Sequence, residues 1–371
     1  MTAVTPVRMP KWGLSMQEGK IVDWWKAEGA AVREGEDLVD IETAKINNVF
    51  EAPAGGVLRR IVAAPGDTLP VGALIAVLAA ADVADAEVDA FVADFQANFT
   101  PEDDEAGGGG LALSTVSVDG RGLQVARTGE GEADPVVLIH GYAGDLNGWA
   151  FNIPALAQAG PVVAIDLPGH GGSAKDVGDG SLATLATAVR GVLRELGIGR
   201  AHLVGHSLGG AVAARAAIDD PALAASLTLI APAYLPGGAL DTDFLTGVAE
   251  EDRARALKPW LSRLTADPAL VTAEMVEDVV KYKRLDGASE ALAALRDRMV
   301  AGDDARALQA DLAKIPRAVV IASRNDQIVG APDPHALPPG FEVVWMDEAG
   351  HLPHLEQAAA TDAVLKRQAG R

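Results

Sequence analysis

The segment Val204-Gly205-His206-Ser207-Leu208-Gly209-Gly210 constrains this chain more than any other, because it sets a serine between small residues where an apolar run, 202–204, meets a helical pattern. A strand that turns sharply into a helix lifts the Ser207 hydroxyl clear of the backbone, and the strain of that turn favours glycine two positions to either side. With 40 Gly among 371 residues, such a spacing also arises by chance, so its surroundings must supply the argument.

Composition removes several classes of function. A net charge of −21 with no offsetting basic stretch excludes a nucleic-acid partner. The absence of Cys removes disulfides, thiolate metal sites and a Cys nucleophile, and no metal site is expected. The strongest apolar run, 71–81, is too short to span a bilayer, and no basic, apolar leader opens the chain. The expectation is a cytoplasmic protein without a membrane segment.

Sliding the first 80 residues against themselves by 37 positions aligns Gly19 with Gly56, Ile21 with Leu58, Gly29 with Gly66, Val32 with Leu69, Gly35 with Gly72 and Leu38 with Ile75. Two similar halves of short alternating strands predict an all-β flattened barrel or sandwich over 1–80. Between them lies Glu42-Thr43-Ala44-Lys45-Ile46, where a hairpin must join the halves and leave Lys45 at an exposed tip. On position alone, Lys45 is equally a solvated turn lysine. The strings Met9-Pro10-Lys11-Trp12-Gly13-Leu14-Ser15-Met16-Gln17-Glu18-Gly19, Glu42-Thr43-Ala44-Lys45 and Ala52-Pro53-Ala54-Gly55-Gly56 resemble a lipoyl domain, of the biotinyl/lipoyl-like class, over 4–79. That resemblance implies lipoate joined covalently to Lys45. Biotin domains carry Met-Lys-Met at the tip, which is absent here.

Residues 81–112 read as an acidic, Gly-rich linker, with nine acids and no base over 82–105 followed by Gly107 to Gly110. Within it Val88, Phe91, Val92, Phe95 and Phe99 recur at helical spacing. Such a helix either packs on the chain's own second half or docks a partner enzyme. Were the linker wholly flexible, its ends would lie about 30 Å apart.

Over 113–371, apolar runs at 136–139, 162–165, 203–204, 227–230, 319–321 and 343–345 alternate with helical patterns, most clearly at 182–196 and 208–218. That rhythm predicts a mostly parallel sheet. It stops between Pro232 and Pro316, where a helical cap over 233–315 is expected. His140-Gly141-Tyr142 follows the first run, so the Tyr142 and Leu208 amides become candidate oxyanion donors. Asp326 follows the run at 319–321, with Asp333 and Asp347 as rivals, and His351 follows the run at 343–345. A Ser hydroxyl needs a neutral imidazole to accept its proton, and the imidazole needs a carboxylate to fix its tautomer. Ser207 and His351 are therefore the candidate nucleophile and base, with one of Asp326, Asp333 and Asp347 as the orienting acid. His140 and His170 read as structural, His354 as the start of the last helix, and Lys281, Lys283 and Arg284 as a solvated helix face.

Together with Asp166-Leu167-Pro168-Gly169-His170-Gly171-Gly172-Ser173 and Gly350-His351, these strings resemble the α/β-hydrolase fold, whose order Ser, Asp, His they share and whose pattern, a loop acid after the preceding strand, implies Asp326 as the acid. The whole chain resembles the acetyltransferase component of acetoin dehydrogenase complexes. That resemblance implies acetyl transfer from S-acetyldihydrolipoyl-Lys45 to coenzyme A, with a thiamine-diphosphate-dependent acetoin-cleaving enzyme and a dihydrolipoamide dehydrogenase as partners in an oligomeric multienzyme complex. The His-x-x-x-Asp-Gly string of acyltransferases in 2-oxoacid complexes is missing: none of Asp119-Gly120, Asp179-Gly180 and Asp286-Gly287 has His four residues before it. Either the triad replaces that machinery, by an acyl-Ser207 or by direct attack of the coenzyme A thiol, or water completes a hydrolase reaction. A non-catalytic carrier is the third reading.

Overall fold

The computed structural model describes residues 4–10, 18–33, 35–42, 47–99 and 111–371, and the chain divides into two units, 1–110 and 111–371. The first unit holds β1 (Val4–Arg8), β2 (Glu18–Trp24), β3 (Ala31–Val32), β4 (Asp37–Glu42), β5 (Asn47–Glu51), β6 (Gly56–Ile61), β7 (Thr68–Pro70), β8 (Leu74–Ala79) and α1 (Asp85–Asn98). Its strands form two antiparallel four-stranded sheets, ordered β1-β8-β6-β3 and β5-β4-β2-β7.

The 37-residue offset is visible in space, since it carries β2 onto β6, β3 onto β7 and β4 onto β8. Gly29 and its repeat mate Gly66 have φ of 87° and 97°, a conformation that costs side-chain-bearing residues energy and glycine little. Val7, Ile21, Leu38, Ile41, Leu58, Ile75 and Leu78 fill the space between the sheets. Each fully buried Leu or Ile contributes roughly 1.5–3 kcal/mol.

The helix expected within the acidic segment forms, but the surface that takes up its stripe differs from the expected second half of the chain. Helix α1 lays its stripe on the outer face of the first unit: Val88 is fully buried among Val4, Leu74, Val77 and Ala79, and Phe91, Val92 and Phe95 pack beside it. Arg59 pairs with Asp85 at 2.7 Å and Arg60 with Asp89 at 2.9 Å, which spends two of the acids on register. This cover also explains why β8 is apolar at every position: one face meets the barrel core, the other meets α1.

The second unit comprises β9 (Ala112–Val118), β10 (Arg121–Thr128), β11 (Val136–Ile139), α2 (Ile153–Ala157), β12 (Val162–Ile165), α3 (Leu182–Glu195), β13 (Ala201–His206), α4 (Leu208–Asp219) and β14 (Ala224–Ile230). Then come the cap helices α5 (Thr242–Glu250), α6 (Ala254–Leu261), α7 (Ala273–Lys283), α8 (Ala288–Ala301) and α9 (Asp303–Asp311), and finally β15 (Ala318–Ala322), β16 (Phe341–Trp345), α10 (Pro353–Glu356) and α11 (Ala358–Gln368). The sheet order is β16-β15-β14-β13-β11-β12-β10-β9, parallel from β12 to β16 and antiparallel through β10 and β9. Strands β11, β12 and β15 are buried at every residue, so their sequences read as unbroken apolar runs rather than alternating ones. Parallelism has a direct consequence for function: the loops leaving β11, β12, β13, β15 and β16 all emerge at one edge of the sheet.

Candidate active site

The sheet's centre builds the turn that carries Ser207. Strand β13 ends at His206 and α4 begins at Leu208, leaving Ser207 alone between them with φ 52° and ψ −117°. A left-handed φ costs a non-glycine residue about 1–3 kcal/mol, and the surroundings hold it there. The Ser207 amide donates to the Ile230 carbonyl at 2.9 Å. The flanking glycines answer to space: a Cβ on Gly205 would lie 2.1 Å from the Gly209 carbonyl oxygen, and one on Gly209 would lie 2.3 Å from the carbonyl oxygens of Ile139 and His140.

His351 and Asp326 meet although β16 separates their loops in sequence. His351 Nδ1 donates to Asp326 Oδ2 at 2.8 Å, with both side chains buried. Asp326 Oδ1 accepts the Ile328 and Val329 amides at 2.8 and 3.0 Å. Burial pushes the Asp326 carboxyl up, but the His351 contact and these amides outweigh it and hold it below the usual range. The rivals are engaged elsewhere: Asp347 pairs with Arg324, and Asp333 Oδ1 accepts the His335 amide at 2.9 Å. The His351 backbone is pinned in turn, its amide donating to the Leu264 carbonyl at 2.7 Å. Among the described residues Ser207 and His351 share no hydrogen bond.

The loop after β11 lies against Ser207. A Cβ on Gly141 would stand 2.9 Å from Ser207 Cβ, so the backbone entering Tyr142 runs directly beside Ser207. Within the described residues the Tyr142 and Leu208 amides have no acceptor, and Leu208 opens α4, where the first amides are unpaired by construction. The Tyr142 hydroxyl donates to the Leu292 carbonyl of α8 at 3.0 Å, tying this loop to the cap.

His140 and His170 brace the same region. The Leu167 amide donates to His140 Nε2 at 3.0 Å, and the Ala143 amide to His170 Nε2 at 3.2 Å. Asp166, in the motif that follows β12, accepts the Leu146 amide at 2.7 Å and the Gly172 amide at 2.8 Å. The sequence quoted Asp166 only as part of a motif, and its signal was its place at the end of a parallel strand. One basic residue also departs from expectation. Lys283 is buried, donating to the carbonyls of Val248 at 3.0 Å and Glu251 at 2.7 Å and pairing with Asp252 at 3.1 Å, whereas Lys281 and Arg284 line an exposed groove.

Three imidazoles near the site are buried enough to stay neutral. Burial pushes His170 and His206 well below 6.5 and His354 down to about 3. Because each folded value lies below the unfolded one, the unfolded chain binds more protons as pH falls. Their stabilisation is fully present above about pH 6.5 and declines below it, by up to about 1.4 kcal/mol per pH unit for each. The thermal midpoint is expected to drop between pH 7 and pH 5, and His354→Phe to flatten that drop; an unchanged slope in the variant would remove His354 from the account.

The first unit presents the second candidate site. Strands β4 and β5 pair antiparallel, with Glu42 opposite Asn47 at one end of the ladder. Lys45 itself lies outside the described residues.

A model described as "Alpha/beta hydrolase family" matches residues 136–364, and one described as "Biotin-requiring enzyme" matches residues 5–78. The chain is 45% identical over 360 residues to the dihydrolipoyllysine-residue acetyltransferase component of the acetoin cleaving system of Pseudomonas putida, covering 96% of each. It is 42% identical over 372 residues to that of Cupriavidus necator, covering 99% of this chain and 98% of the relative. Among solved structures, a 2-hydroxy-6-oxo-6-phenylhexa-2,4-dienoate hydrolase from a Rhodococcus strain superposes with TM-score 0.63 at 21% identity, covering 70% of this chain and 99% of that one. The epoxide hydrolase CorEH gives TM-score 0.61 at 20% identity, covering 69% and 98%; such likeness speaks for the fold. With a lipoyl-type unit ahead of a hydrolase-fold unit and near-full-length identity above forty per cent to two such components, the chain belongs to the family of dihydrolipoyllysine-residue acetyltransferase components of acetoin cleaving systems.

Proposed function

We propose that Ser207, His351 and Asp326 transfer an acetyl group from a dihydrolipoyl thioester borne by Lys45 to the thiol of coenzyme A. The observation that carries this reading is the buried 2.8 Å bond from His351 Nδ1 to Asp326, beside a serine on a strained strand-to-helix turn. A lipoyl group on Lys45 supplies a dithiol that holds the acyl group as a thioester. Ser207 Oγ attacks the thioester carbonyl while His351 Nε2 takes the hydroxyl proton. Asp326 fixes the tautomer that leaves Nε2 open and stabilises the imidazolium. The Tyr142 and Leu208 amides hold the oxyanion. When the carbon–sulfur bond breaks, His351 returns its proton to the departing sulfur and leaves acetyl-Ser207. His351 then deprotonates the coenzyme A thiol, the thiolate attacks the ester, and the proton ends on Ser207 Oγ.

An acetoin-cleaving, thiamine-diphosphate-dependent enzyme loads the arm in this reading, and dihydrolipoamide dehydrogenase reoxidises it. Assembly with them and residence in the cytoplasm complete the proposal. No helix among the described residues is long and apolar enough to cross a membrane.

Water as acceptor is the second reading, favoured by the hydrolase fold of the second unit. The deciding experiment offers the protein S-acetyldihydrolipoamide with and without coenzyme A and follows acetyl-coenzyme A and acetate separately. Acetyl-coenzyme A as the main product supports transfer; acetate released at the same rate with or without coenzyme A makes the protein a thioesterase. In the same assay Asp326→Asn is expected to lower kcat by about 10³- to 10⁴-fold, because the amide favours the wrong imidazole tautomer. A loss below tenfold would reassign the orienting role.

A further inference from the structure

His206 stands next to the nucleophile, yet its side chain engages the two loops that serve it. His206 Nε2 donates to the His351 backbone carbonyl at 2.8 Å, and the two rings lie 4.7 Å apart between centroids. On its other side a Cβ on Gly141 would stand 2.8 Å from His206 Nδ1, so the backbone that leads to the Tyr142 amide rests against the ring. Behind it the His354 ring lies at 4.5 Å, itself backed by Trp149 at 4.6 Å. One planar side chain therefore touches segments that follow β11 and β16 while its own backbone carries the end of β13.

We propose that His206 is a positioning residue, a spacer that sets the separation between the Gly141–Tyr142 amides and the His351 imidazole. The inference rests on the Ser207–His351 reading above. A ring of this size fills the gap, and its N–H satisfies a buried carbonyl that an apolar ring would leave unpaired. Burial keeps the His206 ring neutral, so with Nε2 donating, Nδ1 carries no proton. The titratable groups that face it are His351, His354 and His140, and burial keeps His206 and His354 neutral. Neither adds positive charge beside His351 when that residue takes the Ser207 proton.

The test uses the full-length protein, His206→Phe and His206→Gln. A serine-directed organophosphonate reports on Ser207 without any acyl acceptor, and steady-state turnover of S-acetyldihydrolipoamide with coenzyme A separates kcat from KM. A misplaced catalytic group costs on the order of 100-fold. His206→Phe is expected to slow both phosphonylation and kcat by about that factor with KM little changed. His206→Gln, which keeps an N–H at the end of the side chain, is expected to recover about tenfold of the loss, and thermal midpoints report the folded fraction of each. Wild-type rates in His206→Phe would overturn the proposal, as would a Gln variant no faster than Phe. If wild-type protein itself fails to react with the phosphonate, the Ser207–His351 reading has failed instead.

Discussion

Ser207→Ala is expected to lower acetyl-coenzyme A formation from S-acetyldihydrolipoamide by on the order of 10⁴- to 10⁶-fold, since loss of the nucleophile disables the triad as a unit. The effect should be almost wholly chemical. Ser207 Oγ makes no hydrogen bond to His351, and the hydrogen bond that the Ser207 amide donates to the Ile230 carbonyl survives the substitution, so the thermal midpoint should change little. Wild-type protein given S-acetyldihydrolipoamide without coenzyme A should yield an acetylated Ser207 peptide by mass spectrometry, and the variant none. Direct attack by coenzyme A, with His351 deprotonating the thiol, predicts the opposite pattern: Ser207→Ala remains within about tenfold of wild type while His351→Ala fails. That pattern would retire the acyl-serine route and keep the acetyltransferase.

Lys45→Arg separates carriage from chemistry. Arginine keeps the positive charge but offers no amine for an amide bond to lipoate, so acetoin-dependent acetyl-coenzyme A formation by the assembled system should fall to background. Turnover of free S-acetyldihydrolipoamide should stay at the wild-type rate, because Lys45 and the triad belong to different units. A tether replaces bulk substrate with an effective concentration in the millimolar range. Free substrate at millimolar levels should therefore restore flux in the variant. Acetoin-dependent turnover that survives Lys45→Arg would place the arm on another residue.

Much of the site was legible because its signals are local or follow chain order. The Gly-x-Ser-x-Gly spacing announces a turn whose glycines are needed for close approach, and Gly205 and Gly209 meet backbone carbonyls at 2.1 and 2.3 Å. A histidine and an acid at the ends of successive apolar runs emerge at the same edge because the strands are parallel. In the acidic segment the helical stripe was legible, but the surface it covers was not. Its composition matched a solvated linker, yet Arg59 and Arg60 take up two of its acids and β8 takes its apolar stripe. Composition counts charges without showing their partners.

By itself, then, the sequence determined the two-unit plan, the 37-residue repeat behind the paired sheets, the parallel order of the second unit and the identity of the turn that carries Ser207. These are properties of periodicity and spacing, which the backbone obeys locally. Only the tertiary structure decided that Asp326 rather than Asp347 meets His351, that α1 covers β8, and that His206 reaches a carbonyl 145 residues away. Each of those depends on which surfaces and loop ends packing brings together, and no spacing along the chain encodes a contact made across it.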